Sequence, residues 1–205
     1  NANLTNVNFT EALLYHSDLS YVNLTSANFT NANLQQANLT GANLTNTNFT
    51  NTNLLAADLT GTTFTNVTFD PSNIQQAKLP GLDLSGASLS TIDPQGVDFS
   101  GANLTNTDLS GANITISNFT NANLNNANLT NITWSSFPTW TNANLTNVNF
   151  TEARLIQNDL SYVNLTGANF TNANLQQANL TGANLTNTNF TNTNLLLADL
   201  TGTTF

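Results

Sequence analysis

Large apolar residues recur at every fifth position of this chain, and this spacing constrains its fold more than any other feature. The series begins with Leu4, Phe9 and Leu14, and a small residue, usually Ala, lies two positions before each member. A period of five fits neither an α-helix, with about 3.6 residues per turn, nor a flat strand, with a period of about 2. A short fixed period is typical of a solenoid, in which each five-residue unit buries one large and one small side chain.

The composition is consistent with an ordered rod only because of that spacing. Of the 205 residues, 41 are Asn and 35 are Thr, while 39% are hydrophobic and 6% are charged. An Asn- and Thr-rich chain first suggests disorder, but the strict placement of the apolar residues argues against it. The formal net charge is −9, and Lys78 and Arg154 are the two Lys or Arg residues. We therefore expect no nucleic-acid binding through a basic patch.

The residue inventory argues against several other classes of protein. No run of about 18 apolar residues is present, so we expect no membrane span. The chain has no Cys and one His, His16, which leaves little for a disulfide framework, a metal site or a general base. We expect no enzymatic activity, no catalytic residue, no metal and no cofactor. The first residues, Asn1 to Leu4, are neither a signal peptide nor an initiator Met, so we expect that processing or truncation removed the true start.

Units such as Ala-Asn-Leu-Thr-Asn, Ala-Asn-Leu-Gln-Gln and Ala-Asp-Leu-Thr-Gly resemble the A(D/N)LXX units of the pentapeptide repeat family, over essentially the whole chain. The resemblance implies an all-β fold, a right-handed quadrilateral parallel β-helix with four units per coil. Phe9, Phe29, Phe49 and Phe69 are spaced by 20 residues, which independently supports four units per coil. We expect residues 1–205 to form a single solenoid of about ten coils, about 50 Å long at the usual strand spacing.

A second, longer repeat overlies the first. Residues 1–64 recur as 142–205, an offset of 141 residues, which equals 28 units of five plus one residue. We expect the extra residue within 134–140, and we interpret the chain as a piece of a longer array. The six differences between the copies are Leu13/Arg154, Tyr15/Ile156, His16/Gln157, Ser17/Asn158, Ser26/Gly167 and Ala56/Leu197.

Two irregular segments, 70–98 and 130–143, interrupt the Phe series, which jumps by 30 residues across the first and by 31 across the second. Either Phe moves to the opposite face, with seven coils in each 141-residue unit, or two ten-residue loops bulge out and leave six coils. The five-residue spacing that continues through 70–89 favours seven. Three prolines are expected at corners or edges, where no backbone donor is needed: Pro71, Pro80 and Pro94.

The outward Asn, the core residue and the Thr that follows together spell Asn-x-Thr, the acceptor sequence for N-glycosylation. The same pattern also has a structural explanation, because Asn bonds the backbone in turns and Thr suits strands. We expect glycosylation of several sites, since stacked sites about 4.8 Å apart would crowd their sugars. The candidates are Asn3, Asn8, Asn23, Asn28, Asn38, Asn43, Asn48, Asn66, Asn103, Asn113, Asn118, Asn128, Asn131, Asn144, Asn149, Asn164, Asn169, Asn179, Asn184 and Asn189.

One outer face is more apolar than the others. We call it face three; its units are centred on every fourth core position from Leu14, and in the terminal segments Gln or Leu replaces the Thr of the acceptor sequence. An exposed apolar strip is usually a contact surface, so we expect lateral packing on another rod; a few tolerated surface Leu residues are the alternative. The lateral-contact candidates are Leu13, Tyr15, Leu55, Ile156, Leu196 and Leu197.

Four further residues lie around the expected shift in register: Trp134, Phe137, Pro138 and Trp140. We expect them to cover the shift with apolar surface; a sugar-stacking or partner site is the alternative. His16 is interpreted as a surface residue because Gln157 replaces it in the second copy. Glu11 and Glu152 lie near carboxylates, but nothing in the sequence activates them.

Three functions compete. We favour a structural, non-enzymatic filament, extracellular or at the cell surface, whose coils stack end to end and possibly side by side as a homopolymer. Covalent glycans would supply the hydration that charge does not. The resemblance also raises a DNA-mimic role against gyrase, for which the acidic residues are sparse. Ice binding by Thr ladders is the third possibility, with the residues Thr5, Thr25, Thr45 and Thr65.

Overall fold

The computed structural model describes residues 2–90 and 92–205, and these form one rod of stacked coils. Parallel β-bridges join residues 20 positions apart, as in Asn3 to Asn23 and Asn23 to Asn43. Since each unit has five residues, four units complete one coil, and the coil has four sides. Within the described residues there is no helix and no continuous strand; the pairing consists of isolated single-residue bridges.

All five backbone N–H groups of a typical unit are satisfied, as residues 22–26 illustrate. The N–H groups of Leu24 and Ser26 donate to carbonyls of the next coil at 2.9 and 2.8 Å, and that of Asn23 donates to the preceding coil at 3.0 Å. The N–H of Val22 closes the preceding corner at 3.3 Å. The N–H of Thr25 has a side-chain acceptor instead, the Oδ1 atom of Asn23 at 3.2 Å. The Asn or Asp before each core residue is therefore part of the backbone hydrogen-bond network.

The corners explain why the strands are so short. The residue two positions after each core residue adopts a left-handed conformation, with φ from 51° to 71°. Gly and Asn tolerate this conformation best, and they fill most corners. A left-handed residue in every unit turns the chain by one side and interrupts extended backbone. Larger residues at corners are exceptions, among them Tyr21, Ile116 and Leu197.

The interior consists of columns of identical or similar side chains. Phe29 is fully buried and stacks on Phe9 at 4.9 Å and on Phe49 at 5.3 Å between ring centroids, with planes within 6° of parallel. Ala fills most of the small inward positions. Thr47 and Thr52 fill two others, and their hydroxyls donate to carbonyls of the preceding coil at 3.1 and 2.8 Å. Buried hydroxyls are therefore satisfied inside the rod.

Segment 70–98 keeps the 20-residue step, since bridges run from Asp58 to Lys78, then to Asp98 and then to Asn118. The Phe series moves to another side of the rod: Phe99 and Phe119 stack on each other at 5.2 Å. Of the two possibilities raised by the sequence, the described residues fit a change of side.

Pro94 lies in the core, and the expectation that it marks a corner or edge is wrong. It is buried at a large inward position, and its carbonyl accepts a hydrogen bond from the Ser117 hydroxyl at 2.6 Å. The pyrrolidine ring packs like an aliphatic side chain, and the coil gives up one N–H donor. Pro80 has a different role. It follows a unit in which Lys78 replaces the usual Asn or Asp, so the N–H that would lack an acceptor is itself absent.

The register shifts between Thr133 and Thr139, because their bridges to the preceding coil span 20 and 21 residues respectively. Trp140 takes the inward position after the shift. It is 2% exposed and stacks on Phe119 at 4.7 Å with an interplanar angle of 8°. The expectation that Trp140 covers the shift from outside is therefore wrong, because a core position needed a large side chain. Phe137 does lie outside and is 52% exposed.

We predict that Ile116→Asn stabilises the protein. Ile116 is β-branched and 58% exposed, with φ 53°, so it bears the strain of a left-handed corner and gains little burial in return. Relief of that strain is worth about 1 kcal/mol. The reverse substitution at the next corner, Asn121→Ile, is the matched control and should destabilise the rod by a similar amount. Denaturant unfolding measures both; a midpoint that does not rise for Ile116→Asn would contradict the prediction.

Candidate functional site

The outer surface is built from a repeated pairing of Asn with the Thr two residues later. In most of the Asn-x-Thr sequences the Asn Oδ1 atom accepts two hydrogen bonds from the Thr. For Asn28 and Thr30 these come from the N–H at 3.1 Å and the hydroxyl at 2.6 Å. Asn149 and Thr151 repeat the arrangement at 3.1 and 2.6 Å. The Asn-x-Thr pattern therefore has a structural cause that operates without any glycan.

The side-chain amides also connect neighbouring coils. The Nδ2 atom of Asn48 donates to the Thr30 hydroxyl at 3.2 Å, and that of Asn118 donates to the Asp98 carboxylate at 3.0 Å. Nδ2 is the atom that N-glycosylation modifies. A glycan on an amide of this kind leaves one N–H for the ladder, and its sugar must fit beside the neighbouring coil.

The glycosylation candidates fall into two structural groups. All except Asn66 and Asn131 lie one position before a core residue, where the bridges form. Asn66 and Asn131 lie at corners with φ 51° and 57°, and both are exposed. Among the described residues, the Nδ2 atom makes no hydrogen bond in the following candidates: Asn3, Asn8, Asn23, Asn43, Asn113, Asn131 and Asn184. Glycosylation itself stays a prediction at every candidate.

Face three has apolar clusters rather than a continuous strip. Leu13 and Tyr15 are 75% and 56% exposed near one end of the rod, and Leu196 and Leu197 are 58% and 72% exposed near the other. The candidates Leu55 and Ile156 are only half-exposed. Gln side chains separate the clusters; in one such pair the Nε2 atom of Gln157 donates to the Oε1 atom of Gln177 at 2.7 Å. Lateral contact stays a prediction.

Three further exposed apolar side chains were not among the sequence-based candidates: Tyr21, Ile116 and Tyr162. All three lie at left-handed corners. The signal was present in the sequence, since a large residue two positions after the core position departs from the Asn or Gly that the repeat favours there.

Carboxylates in the Asn position use the same backbone contact. Hydrogen bonds from the hydroxyl and the N–H of Ser20 lower the pKa of Asp18 below its ordinary value of 3.8. Thr201 does the same for the pKa of Asp199. A carboxylate that accepts such bonds is stabilised in its charged form.

Two partly buried carboxylates show a balance of effects. Burial alone would raise the pKa of Asp58, but hydrogen bonds from Lys78 and Thr60 hold it below 3.8. The Lys78 ammonium lies 2.7 Å from the Asp58 carboxylate, and this contact raises the pKa of Lys78. Burial likewise opposes the bonds from Ser110 that lower the pKa of Asp108. Within the described residues no group of three His, Cys, Asp or Glu side chains is placed to hold a metal ion.

Acidification should destabilise the rod. These carboxyls have folded-state pKa values below the ordinary 3.8, so the stability they contribute is present above that pH and is lost as the pH falls through the folded values. Asp108→Asn keeps the Oδ1 acceptor and removes the titrating group, so it should reduce the fall in Tm between neutral pH and about pH 2.5. Scanning calorimetry of both proteins tests this, and an unchanged pH dependence would contradict it.

Comparisons with known proteins place the fold. Within the described part of the chain, no helix has the length and apolar character needed to cross a membrane. A search of curated protein sequences finds no match. The family model for pentapeptide repeats matches eight copies, in residues 1–31, 27–66, 95–131, 141–172 and 168–205.

Solved structures are similar over most of the chain. QnrB1, a plasmid-mediated fluoroquinolone resistance protein, is 16% identical, with 98% of this chain and 83% of that chain covered and a TM-score of 0.50. HetL, a pentapeptide repeat protein involved in heterocyst differentiation regulation from the cyanobacterium Nostoc sp. strain PCC 7120, is 27% identical, with 98% and 86% covered and a TM-score of 0.46. The family model confirms the resemblance: the chain belongs to the pentapeptide repeat family, and its fold is the right-handed quadrilateral β-helix of that family.

Proposed function

We propose that this chain is a structural, non-enzymatic filament protein in which coils stack end to end, located outside the cell or at its surface and N-glycosylated. The observation that carries the proposal is that the duplicated segments use the same coil-to-coil hydrogen bonds. The Leu4 N–H donates to the Asn23 carbonyl at 2.8 Å, and the equivalent bond from Leu145 to Asn164 is 3.0 Å. We take the rod to have about ten coils, with seven in each 141-residue unit.

The duplication supplies a pattern for the contact between successive segments. Residues 142–161 repeat residues 1–20, and they receive bonds from the coil before them, such as Leu124 N–H to the Asn144 carbonyl at 2.8 Å. Residue Asn3 carries the equivalent carbonyl in the first copy. Likewise, residues 183–205 repeat residues 42–64, in which Phe49 donates onward at 2.8 Å. One end of the rod therefore complements the other, and a heterologous contact of this kind propagates without closing.

The neutral surface supports a glycan coat. With 6% charged residues, the rod lacks the charge that usually keeps a surface hydrated and separate from its neighbours. Glycans on outward Asn residues would supply that hydration. Because many Nδ2 atoms take part in ladders between coils, we infer that sugars are attached before the coils close, at amides that make no ladder bond.

The other two functions have less support. Asp18 and Asp58 are separated along their side of the rod by Asn38, and Lys78 pairs with Asp58 at 2.7 Å. Such sparse, partly neutralised charge does not reproduce the dense negative charge of a duplex. In the Thr ladder, the Thr25 hydroxyl is engaged with the adjacent Asn at 2.7 Å, which leaves fewer free hydroxyls for ice.

Filament growth should depend on the N–H donors that the last coil offers. Leu195 lies at the inward position of face three, the position that Pro94 occupies within the rod. Leu195→Pro should therefore fold, lose one donor, and raise the critical concentration for assembly about fivefold, as expected for a hydrogen bond worth about 1 kcal/mol. Leu195→Ala removes core volume but keeps the N–H and serves as the control. Electron microscopy and light scattering measure assembly, and monodisperse monomers at all concentrations would refute end-to-end stacking.

Glycan occupancy should follow the freedom of the Nδ2 atom. Asn131 is exposed at a corner, whereas the Nδ2 atom of Asn128 donates to the Asp108 carboxylate at 3.0 Å. Mass analysis of peptides from native material should find a glycan more often on Asn131 than on Asn128, and these two sites lie close enough in sequence for direct comparison. An intact mass equal to the sequence mass of 21.9 kDa would refute glycosylation.

A further inference from the structure

The shift in register opens a groove on the side of the rod. Its volume is about 460 Å³, and it lies between Phe137, residues 138–142 and the next coil, where Asp159, Ser161 and Tyr162 form the opposite wall. The extra residue produces this shape, because the backbone must accommodate it while Trp140 remains in the core column. A regular four-sided coil has flat faces, so the groove is a departure from the repeat.

Two aromatic side chains flank the groove. Phe137 is 52% exposed and Tyr162 is 76% exposed. The Tyr162 ring rests on Gly182 of the following coil; a Cβ atom on that glycine would lie 2.6 Å from the ring. The ring is therefore supported on one side by a position where only Gly fits, and it stays available on the other.

Polar atoms without partners lie between the aromatic walls. The Oδ1 atom of Asp159 accepts bonds from the Ser161 N–H at 3.0 Å and from the Asn179 Nδ2 atom at 3.1 Å. Among the described residues, the Asp159 Oδ2 atom and the hydroxyls of Ser161, Thr141 and Tyr162 make no hydrogen bond. On the regular faces, by contrast, most Thr hydroxyls are bonded to the neighbouring Asn. The groove thus offers donors and acceptors that the rest of the rod keeps occupied.

We propose that this groove binds a neutral saccharide of one or two rings. Aromatic faces match the apolar C–H faces of a sugar ring, and a carboxylate with neighbouring hydroxyls matches its hydroxyl groups. The residues lining the groove include no Lys, Arg or His, so an anionic ligand would lack a charge partner. A small organic cation between the rings and Asp159 is the competing occupant.

This inference is independent of the filament proposal. The groove lies within one rod and needs neither end-to-end contact nor a glycan on this chain. Its saccharide could be a free polysaccharide or a glycan carried by a copy of this chain, and both sources offer the same chemistry.

The duplication provides a matched control for the groove. Tyr21 is the equivalent of Tyr162; it is 64% exposed and rests on Gly41, where a Cβ atom would lie 2.5 Å from the ring. Asp18 and Ser20 accompany it. Tyr21 is thus the same corner residue in the same setting without the irregular segment 134–140 beside it.

The test uses unglycosylated recombinant residues 1–205, titrated with maltotetraose, cellotetraose, mannotetraose and chitotetraose and followed by NMR and calorimetry. At least one probe should bind with a Kd of about 1 mM or tighter. Tyr162→Ala and Phe137→Ala should each weaken binding by about tenfold or more, and Asp159→Asn, which keeps the Oδ1 acceptor, should weaken it less. Tyr21→Ala should leave it unchanged. Unaltered thermal unfolding of each variant shows that the rod is intact.

Three outcomes would overturn the proposal: no probe binds, Tyr21→Ala weakens binding as much as Tyr162→Ala, or tetramethylammonium binds at the groove and displaces the saccharide. The source of the ligand follows from native material. If native protein binds the probe only after enzymatic removal of its glycans, a glycan of this chain occupies the groove. If it binds the probe before and after, the ligand is a free saccharide.

Discussion

The N–H group after each core residue has no backbone acceptor, and the repeat depends on the side chain that satisfies it. The other four N–H groups of a unit bond to carbonyls of neighbouring coils or across a corner, while this one donates to the Oδ1 atom of the Asn or Asp two residues earlier. An unsatisfied amide inside such a rod would cost about 1–3 kcal/mol, and the cost would recur in every unit. Lys78 shows the same constraint from the opposite direction, since the residue two positions after it is Pro80, which has no N–H to satisfy.

This requirement and the left-handed corner together account for the unusual composition. Asn provides the acceptor before the core residue and also tolerates positive φ after it, so a single residue type suits two of the three outward positions. Thr follows the core residue, where its hydroxyl donates to the same Oδ1 atom that accepts its N–H. The fold thus uses neutral side chains where other proteins place charged ones. The low charge of the surface is a consequence of backbone satisfaction as well as of function.

The spacing of apolar residues was sufficient to predict the solenoid, the four-sided coil and the inward positions of Leu, Phe and Ala. It was not sufficient at Pro94 and Trp140, which occupy core positions although their residue types suggested an edge and a cover. Both errors have one cause: position within the repeat outweighs the usual preference of a residue type, because an empty inward position would leave a cavity between stacked coils. The Asn-x-Thr sequences could not be assigned to one role from sequence, since a hydrogen-bonded pair and a glycosylation acceptor require the same two residues.

A periodic surface presents the same groups at every coil, and this limits what it can recognise. Any partner that fits one coil of a regular face also fits the next, so contacts along that face specify neither position nor direction. Specificity requires a place where the period fails. The extra residue before Thr139 creates such a place: it keeps Trp140 in the core while Phe137 is displaced outward, and it leaves hydroxyls and a carboxylate oxygen without partners. The regular coils are suited to extension and the irregular segment to recognition, and the 141-residue period would repeat that segment at fixed intervals along a longer array.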